Sequence, residues 1–198
     1  MLEKLVTRSV NYLLRNNAIF EEDRDIFLYG FHSLYSNILS ITAILFISTL
    51  LNQVQQTILY HISFILLRNT AGGFHAKTLL RCFVMSMIIW LLSLWCIQHI
   101  AKPLVCIWVA GTAKIIVWKT APVEHENNPL NEFKRRRMKL LSKIVSTGIF
   151  ISILFILAIR YNDYCWVAGS LAFGMATHAI LVLAALYQLS AKKKLTSQ

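Results

Sequence analysis

Residues 68–82 read Arg-Asn-Thr-Ala-Gly-Gly-Phe-His-Ala-Lys-Thr-Leu-Leu-Arg-Cys, and this stretch sets how its two flanks are understood. A short apolar run, 54–67, leads into Arg68, and a longer one, 79–97, leaves from Leu79. Between them Gly72 and Gly73 free the backbone for a turn. His75 follows, and Cys82 lies in the first turns of the helix expected from Thr78 onward. A histidine beside a thiol is the minimum equipment for cysteine nucleophilic catalysis. Here the pair stands at the edge of a membrane span.

Composition supports that setting. Of 198 residues, 57% are hydrophobic and 15% charged, whereas soluble domains run to about 45–50% apolar and about 25% charged. Gathered in long runs, this apolar excess indicates an all-α polytopic membrane protein. The first 30 residues carry charges throughout, from Glu3 to Asp25, with no continuous apolar core, so they do not read as a signal peptide. The basic residues behind the net charge of +11 flank apolar spans. Anionic lipid headgroups are therefore the expected partner, and nucleic acid is not. Cys82, Cys96, Cys106 and Cys165 form no CxxC pair and no metal-type spacing with histidine. Neither a metal nor a cofactor is implied.

Working outward, residues 2–15 make an amphipathic helix. Leu2, Leu5, Val6, Val10, Leu13 and Leu14 share one face and Lys4, Arg8, Asn11 and Arg15 the other. Such a helix suits the headgroup plane; packing on the rest of the chain is the alternative. About six transmembrane or re-entrant helices are expected after it, over 33–51, 54–67, 79–97, 103–118, 144–159 and 165–189. The chain reads as one integral membrane domain: an amphipathic segment 1–29, a helical membrane core 30–190 and a basic tail 191–198. The 14 residues of 54–67 would span only about 21 Å, short of a hydrocarbon core of about 30 Å. The Gly-Gly segment is thus expected to dip below the surface, where non-helical backbone must be buried in protein or line a wet cavity. Lys114, alone well inside an apolar run, is expected to snorkel.

Counting basic residues orients the chain. With six spans and the amino terminus inside, the cytoplasmic segments hold 17 of the 20 Lys and Arg residues. Lys102 and Arg160 fall outside and Lys114 within a span. Both termini and the loop bearing His75 and Cys82 are then cytoplasmic, where thiols stay reduced.

His75 and Cys82 are seven residues apart. In one unbroken helix they would be separated by about 10.5 Å along the axis, whereas base and nucleophile need to approach to about 3–4 Å. The dyad therefore requires His75 on a loop folded over the start of the helix carrying Cys82. There the helix dipole, Lys77 and Arg81 favour the thiolate. Backbone N–H groups around Gly72 and Gly73 would stabilise an oxyanion, and Arg68 would bind a carboxylate or complete that hole. No Asp or Glu occurs between residues 26 and 123, so Asn69, Thr70 or a backbone carbonyl would orient the imidazole. His61 and His178, within spans, read as hydrogen-bonded packing groups.

The run Arg68-Asn69-Thr70-Ala71-Gly72-Gly73-Phe74-His75-Ala76 followed by Cys82 resembles the signature of the accessory gene regulator protein B family, bacterial membrane peptidases that mature quorum-sensing propeptides. The likeness extends to length, span arrangement, the segment from Ala121-Pro122-Val123-Glu124 to Pro129-Leu130, and the basic run Lys134, Arg135, Arg136, Arg137. It implies a cysteine endopeptidase of the bacterial cytoplasmic membrane, with Cys82 as nucleophile and His75 as general base and acid. The implied substrate is a propeptide with an amphipathic amino-terminal helix and an acidic tail. Cleavage at the tail junction leaves an acyl-thioester that closes to a thiolactone or lactone. The basic run would contact the acidic tail or lipid headgroups, and the resemblance also implies a homodimer. A peptide exporter with Lys114, His61 and His178 along a pore, or a scaffold recruiting acidic partners, are the alternatives.

Overall fold

The computed structural model describes residues 2–16, 18–72, 79–123, 131–159 and 164–196. These form seven α-helices: α1 (Leu2–Arg15), α2 (Arg24–Leu50), α3 (Val54–Ala71), α4 (Leu79–His99), α5 (Pro103–Thr120), α6 (Glu132–Ile159) and α7 (Cys165–Thr196). The chain divides into two compact units, Met1–Asn52 and Gln53–Gln198.

In the first unit α1 packs on α2. Val6 and Val10, one turn apart on the apolar face, are buried, and the Ser9 hydroxyl lies 2.7 Å from that of Tyr35. The amphipathic helix over 2–15 is therefore present, with part of its apolar stripe spent on α2. A single 3-10 turn, Glu21–Asp23, precedes α2. That helix starts nine residues before the expected span and ends where Asn52 takes φ 55°, a left-handed conformation that asparagine tolerates.

The second unit is a five-helix bundle centred on α7, which touches α3, α4, α5 and α6. Where α5 meets α7 its interior is built mostly from small residues at alternating three- and four-residue spacing, beside larger ones such as Leu67, Ile149, Ile153 and Leu157. On α5 that spacing falls on Cys106, Ala110, Ala113 and Val117; on α7, on Ala168, Ala172, Met175, Ala179 and Val182. Small side chains let helix backbones approach closely in lipid, where no hydrophobic force drives helices together. Gly169 and Gly174 show how close. A Cβ on Gly169 would sit 2.7 Å from the Ala101 Cβ, and one on Gly174 would overlap Ser63 Oγ and lie 2.5 Å from the Tyr60 carbonyl oxygen. The exterior is the reverse. Ile58, Ile88, Leu92, Trp108, Ile151 and Phe155 all face outward, as suits a surface that meets lipid rather than water.

Helices α2, α5, α6 and α7 are each long and apolar enough to cross a bilayer, and α4 contributes a shorter apolar stretch, Phe83–His99. The protein is a polytopic all-α membrane protein. Three boundaries differ from those expected. Helix α3 has 18 residues rather than 14 and measures about 27 Å, because Arg68, Asn69 and Thr70 continue it. The Thr70 hydroxyl folds back onto the Leu66 and Leu67 carbonyls, so these polar residues do not stop the helix. The basic run likewise belongs to a helix, forming the first turns of α6, and α7 carries on through the lysines at 192–194.

Candidate functional site at the mouth of the bundle

Helices α3 and α7 run parallel, since Tyr60 donates to Thr177 at 3.0 Å and Phe64, further along α3, meets the His178 ring, further along α7. Helix α4 runs against them. Ser93 reaches Thr177, while Ile97, further along α4, approaches the earlier Gly169. One face of the bundle thus gathers the ends of α3, α5 and α7 with the starts of α4 and α6.

At that face α3 ends at Ala71, and Gly72 leaves the helix with φ 74° and ψ −155°, a region essentially reserved for glycine. The segment after α5 closes over this exit. The Val123 N–H donates to the Ala71 carbonyl at 3.0 Å, supplying a partner for one of the carbonyls that a helix end leaves open. A Cβ on Gly72 would stand 2.5 Å from the Val123 carbonyl oxygen. Glycine is required there twice over, by dihedral and by space.

Across the mouth, α4 begins at Leu79, so Cys82 lies in its first turn. The His61 and Trp90 rings lie side by side, centroids 6.3 Å apart. Counting eight residues forward from His61 on α3 and eight back from Trp90 on α4, about 12 Å each, brings the Cys82 backbone level with Asn69. The start of α4, with Cys82, and the last turn of α3, with Arg68, therefore lie on the same face of the bundle. Arg68 is half-buried in the last turn of α3. Gly73, His75 and Lys77 lie outside the described residues. Lys134, Arg135, Arg136 and Arg137 are exposed at the start of α6, where Arg136 pairs with Glu132 at 3.6 Å, away from the α3–α4 mouth in sequence but on the same face.

Below the mouth lies a polar seam. Tyr60, Thr177 and Ser93 link α3, α7 and α4. The Ser63 hydroxyl donates to the Tyr60 carbonyl, and His61 Nδ1 lies 2.8 Å from the Thr57 carbonyl oxygen, so His61 is the hydrogen-bonded packing group expected of it. His178 is not. It is fully buried, neither ring nitrogen has a partner among the described residues, and the ring is set edge-on against Phe64 and within electrostatic reach of Arg68. Sequence reasoning classed the two histidines together because both are lone polar residues in apolar runs; only the packing separates them. Nor did anything in the sequence pair Val123 with Gly72. Among the described residues no cluster of His, Cys, Asp or Glu is disposed to hold a metal ion.

A bundle of long apolar helices with a largely apolar exterior defines a multi-pass membrane protein. The family model described as accessory gene regulator B matches residues 6–183, and the chain belongs to that family. An AgrB-like protein of Clostridium perfringens strain SM101 is 29% identical over 181 residues, covering 83% of this chain and 79% of its own length. A second, from C. perfringens strain 13, is 28% identical over 196 residues, covering 88% and 86%. The accessory gene regulator protein B of Staphylococcus carnosus is 23% identical over 167 residues, covering 82% and 85%. No solved structure matches the chain.

Proposed function

We propose that this protein is a membrane-embedded cysteine endopeptidase that matures a quorum-sensing propeptide, with Cys82 as nucleophile and His75 as general base and acid. One observation carries the reading: α3 ends at Ala71 and α4 begins at Leu79. Cys82 is thus placed in a helix's first turn beside the short segment that contains His75. Peptide dipoles at a helix start favour the thiolate.

In the proposed reaction His75 takes the Cys82 proton as sulfur attacks the carbonyl at the junction between propeptide body and acidic tail. Backbone N–H groups near Gly72 and Gly73, aided by Arg68 or Lys77, hold the oxyanion. The intermediate collapses, the C–N bond breaks, and His75 returns the proton to the departing tail amine. The body remains as a Cys82 thioester. A thiol or hydroxyl within it then attacks that thioester, closing a thiolactone or lactone and restoring the Cys82 thiol. An amphipathic propeptide helix would travel in the membrane plane towards this mouth, its acidic tail drawn to Lys134, Arg135, Arg136 and Arg137. The setting is the bacterial cytoplasmic membrane with the mouth and both termini cytoplasmic, and the working unit a homodimer.

Coexpression with a candidate propeptide, one with an amphipathic helix and an acidic tail, tests the proposal. Tail release should stop with Cys82→Ala and with His75→Ala while membrane levels of the protein hold. Processing that survives Cys82→Ala would reject the mechanism, and export lost without any loss of cleavage would favour a transporter.

A further inference from the structure

Lys114 and Lys143 share one indole. The Lys114 ammonium lies 4.8 Å from the centre of the Trp118 ring and 5.0 Å from that of Phe150, and the Lys143 ammonium lies 5.5 Å from the Trp118 centre. The ring itself is fixed, because its N–H donates to Ser146 Oγ at 3.1 Å and Ser146 is buried in α6. Two cations thus stand within about 10 Å of each other, each attracted by the π system of the same indole. Among the described residues neither has a carboxylate within ion-pair distance.

The place matters as much as the pair. Lys114 lies six residues before the end of α5, about 9 Å by helix rise, and its side chain reaches towards that end, over Trp118. Lys119 and Lys139, both exposed, stand next to Trp118 and one turn before Lys143. Ile115 and Trp118, three residues apart on one face of α5, are outward-facing. The result is a cationic notch between α5 and α6, near the end of α5, bordered by the outward-facing apolar side chains of Ile115 and Trp118.

We propose that this notch between α5 and α6 binds a single anionic phospholipid, its phosphate between the Lys114 and Lys143 ammonium groups and its acyl chains along Ile115 and Phe150. A phosphate supplies the counter-charge that the pair lacks among the described residues and has oxygens for both donors. The lipid must be anionic overall, because a zwitterionic headgroup would turn its own ammonium towards Lys119 and Lys139. Basic pockets between helices on the cytoplasmic side are known to take such headgroups. The site is distinct from the proposed His75 and Cys82 chemistry and does not depend on it.

The test uses full-length protein, purified in detergent and delipidated, titrated with phosphatidylglycerol or with phosphatidylcholine of the same chains. Bound lipid is read by native mass spectrometry and stability by thermal shift. Phosphatidylglycerol should bind with one-to-one stoichiometry and raise the melting temperature, with little response to phosphatidylcholine. Lys114→Gln and Lys143→Gln should each weaken binding at least ten-fold. Lys114→Arg should restore it, and Lys102→Gln, at the other end of α5, should leave it unchanged. Equal binding of the two lipids, or undiminished phosphatidylglycerol binding in both glutamine variants, would overturn the proposal. So would the same stabilisation by a soluble acidic peptide without lipid, since the notch would then serve peptide carboxylates. Should Lys114→Gln fail to fold, Lys143→Gln and the comparison of the two lipids still decide.

Discussion

At position 72 the backbone stands at φ 74°, ψ −155°, and the space where a Cβ would go is already held by the Val123 carbonyl. Gly72→Ala therefore meets two obstacles. Holding alanine in that region costs about 1–3 kcal/mol, and relief requires the segment after α5 to move off the end of α3. The expected variant inserts normally and melts a few degrees lower, and on the proposed mechanism it releases the propeptide tail at least ten-fold more slowly, because the exit from α3 at Gly72 is displaced. Coexpression processing and a melt of the same preparation measure both effects. Full processing would show that the chemistry is indifferent to how the chain leaves α3. His178 poses the opposite problem. A buried polar group without partners costs about 1–3 kcal/mol, and an apolar replacement of similar size is neutral or stabilising. His178→Leu should accordingly keep or raise the melting temperature in detergent. If tail release falls at the same time, the ring is retained for function rather than packing. A drop of several degrees would mean instead that the imidazole has a stabilising partner.

At the scale of helices, the contact between α3 and α7 is the joint on which the mouth rests. Gly174 lets Tyr60 and Ser63 come against the α7 backbone, and the hydrogen bond from Tyr60 to Thr177 closes one turn further on. Gly174→Val would force the helices apart. Overpacking of this kind costs about 1–3 kcal/mol, and the Tyr60 bond would be lost with it. A lowered melting temperature that Ser63→Gly partly restores is the expected result, since removing the Ser63 side chain reopens some of the space. A variant as stable as the parent would show that α3 and α7 are not packed this closely. This joint also marks how far the sequence could be read. Helices and their order were legible, because long apolar runs in a chain of this composition leave few alternatives. The direction each helix faces was not. Inside this bundle Ala, Gly and Ser share the interior with Leu67, Trp90 and Ile153, while other large apolar residues such as Ile88, Trp108 and Phe155 face outward, so bulk alone does not mark the core. The end of α3 was misplaced for a related reason. Arg68, Asn69 and Thr70 look like a polar stop, yet near the bilayer a broken helix exposes backbone groups that a continued one satisfies. The pattern of His75 and Cys82 was plain in the sequence. The closure by Val123, 51 residues from Gly72, was not, because no local signal links a proline-containing loop to a distant helix end.

Across the whole molecule, charge and topology converge on one face. Arg68, Arg81, Lys119, the basic start of α6 and the lysines at 192–194 all belong to the ends of helices gathered there, whereas Lys102 belongs to the opposite end of α5. A basic residue near an anionic leaflet is worth about 1 kcal/mol, so this asymmetry outweighs any single substitution. It also makes the orientation robust to the loss of one cluster. Changing Lys134, Arg135, Arg136 and Arg137 together to glutamine removes four charges but leaves Lys119, Lys139, Lys143 and the terminal lysines to retain that face. The expected quadruple variant keeps its topology: a fluorescent protein fused after Gln198 stays bright, and alkaline phosphatase fused after Lys102 stays active, because the first folds only inside the cell and the second only outside. Its tail release should nevertheless fall several-fold, and fall less as salt is raised in a reconstituted assay, since screening would already have weakened the parent's attraction for an acidic tail. A parent whose phosphatase fusion is silent at Lys102 and whose terminal fluorescence is dark would invert the whole arrangement. The mouth would then open outward, away from the compartment that keeps thiols reduced, and a thiolate at Cys82 could not do the work assigned to it.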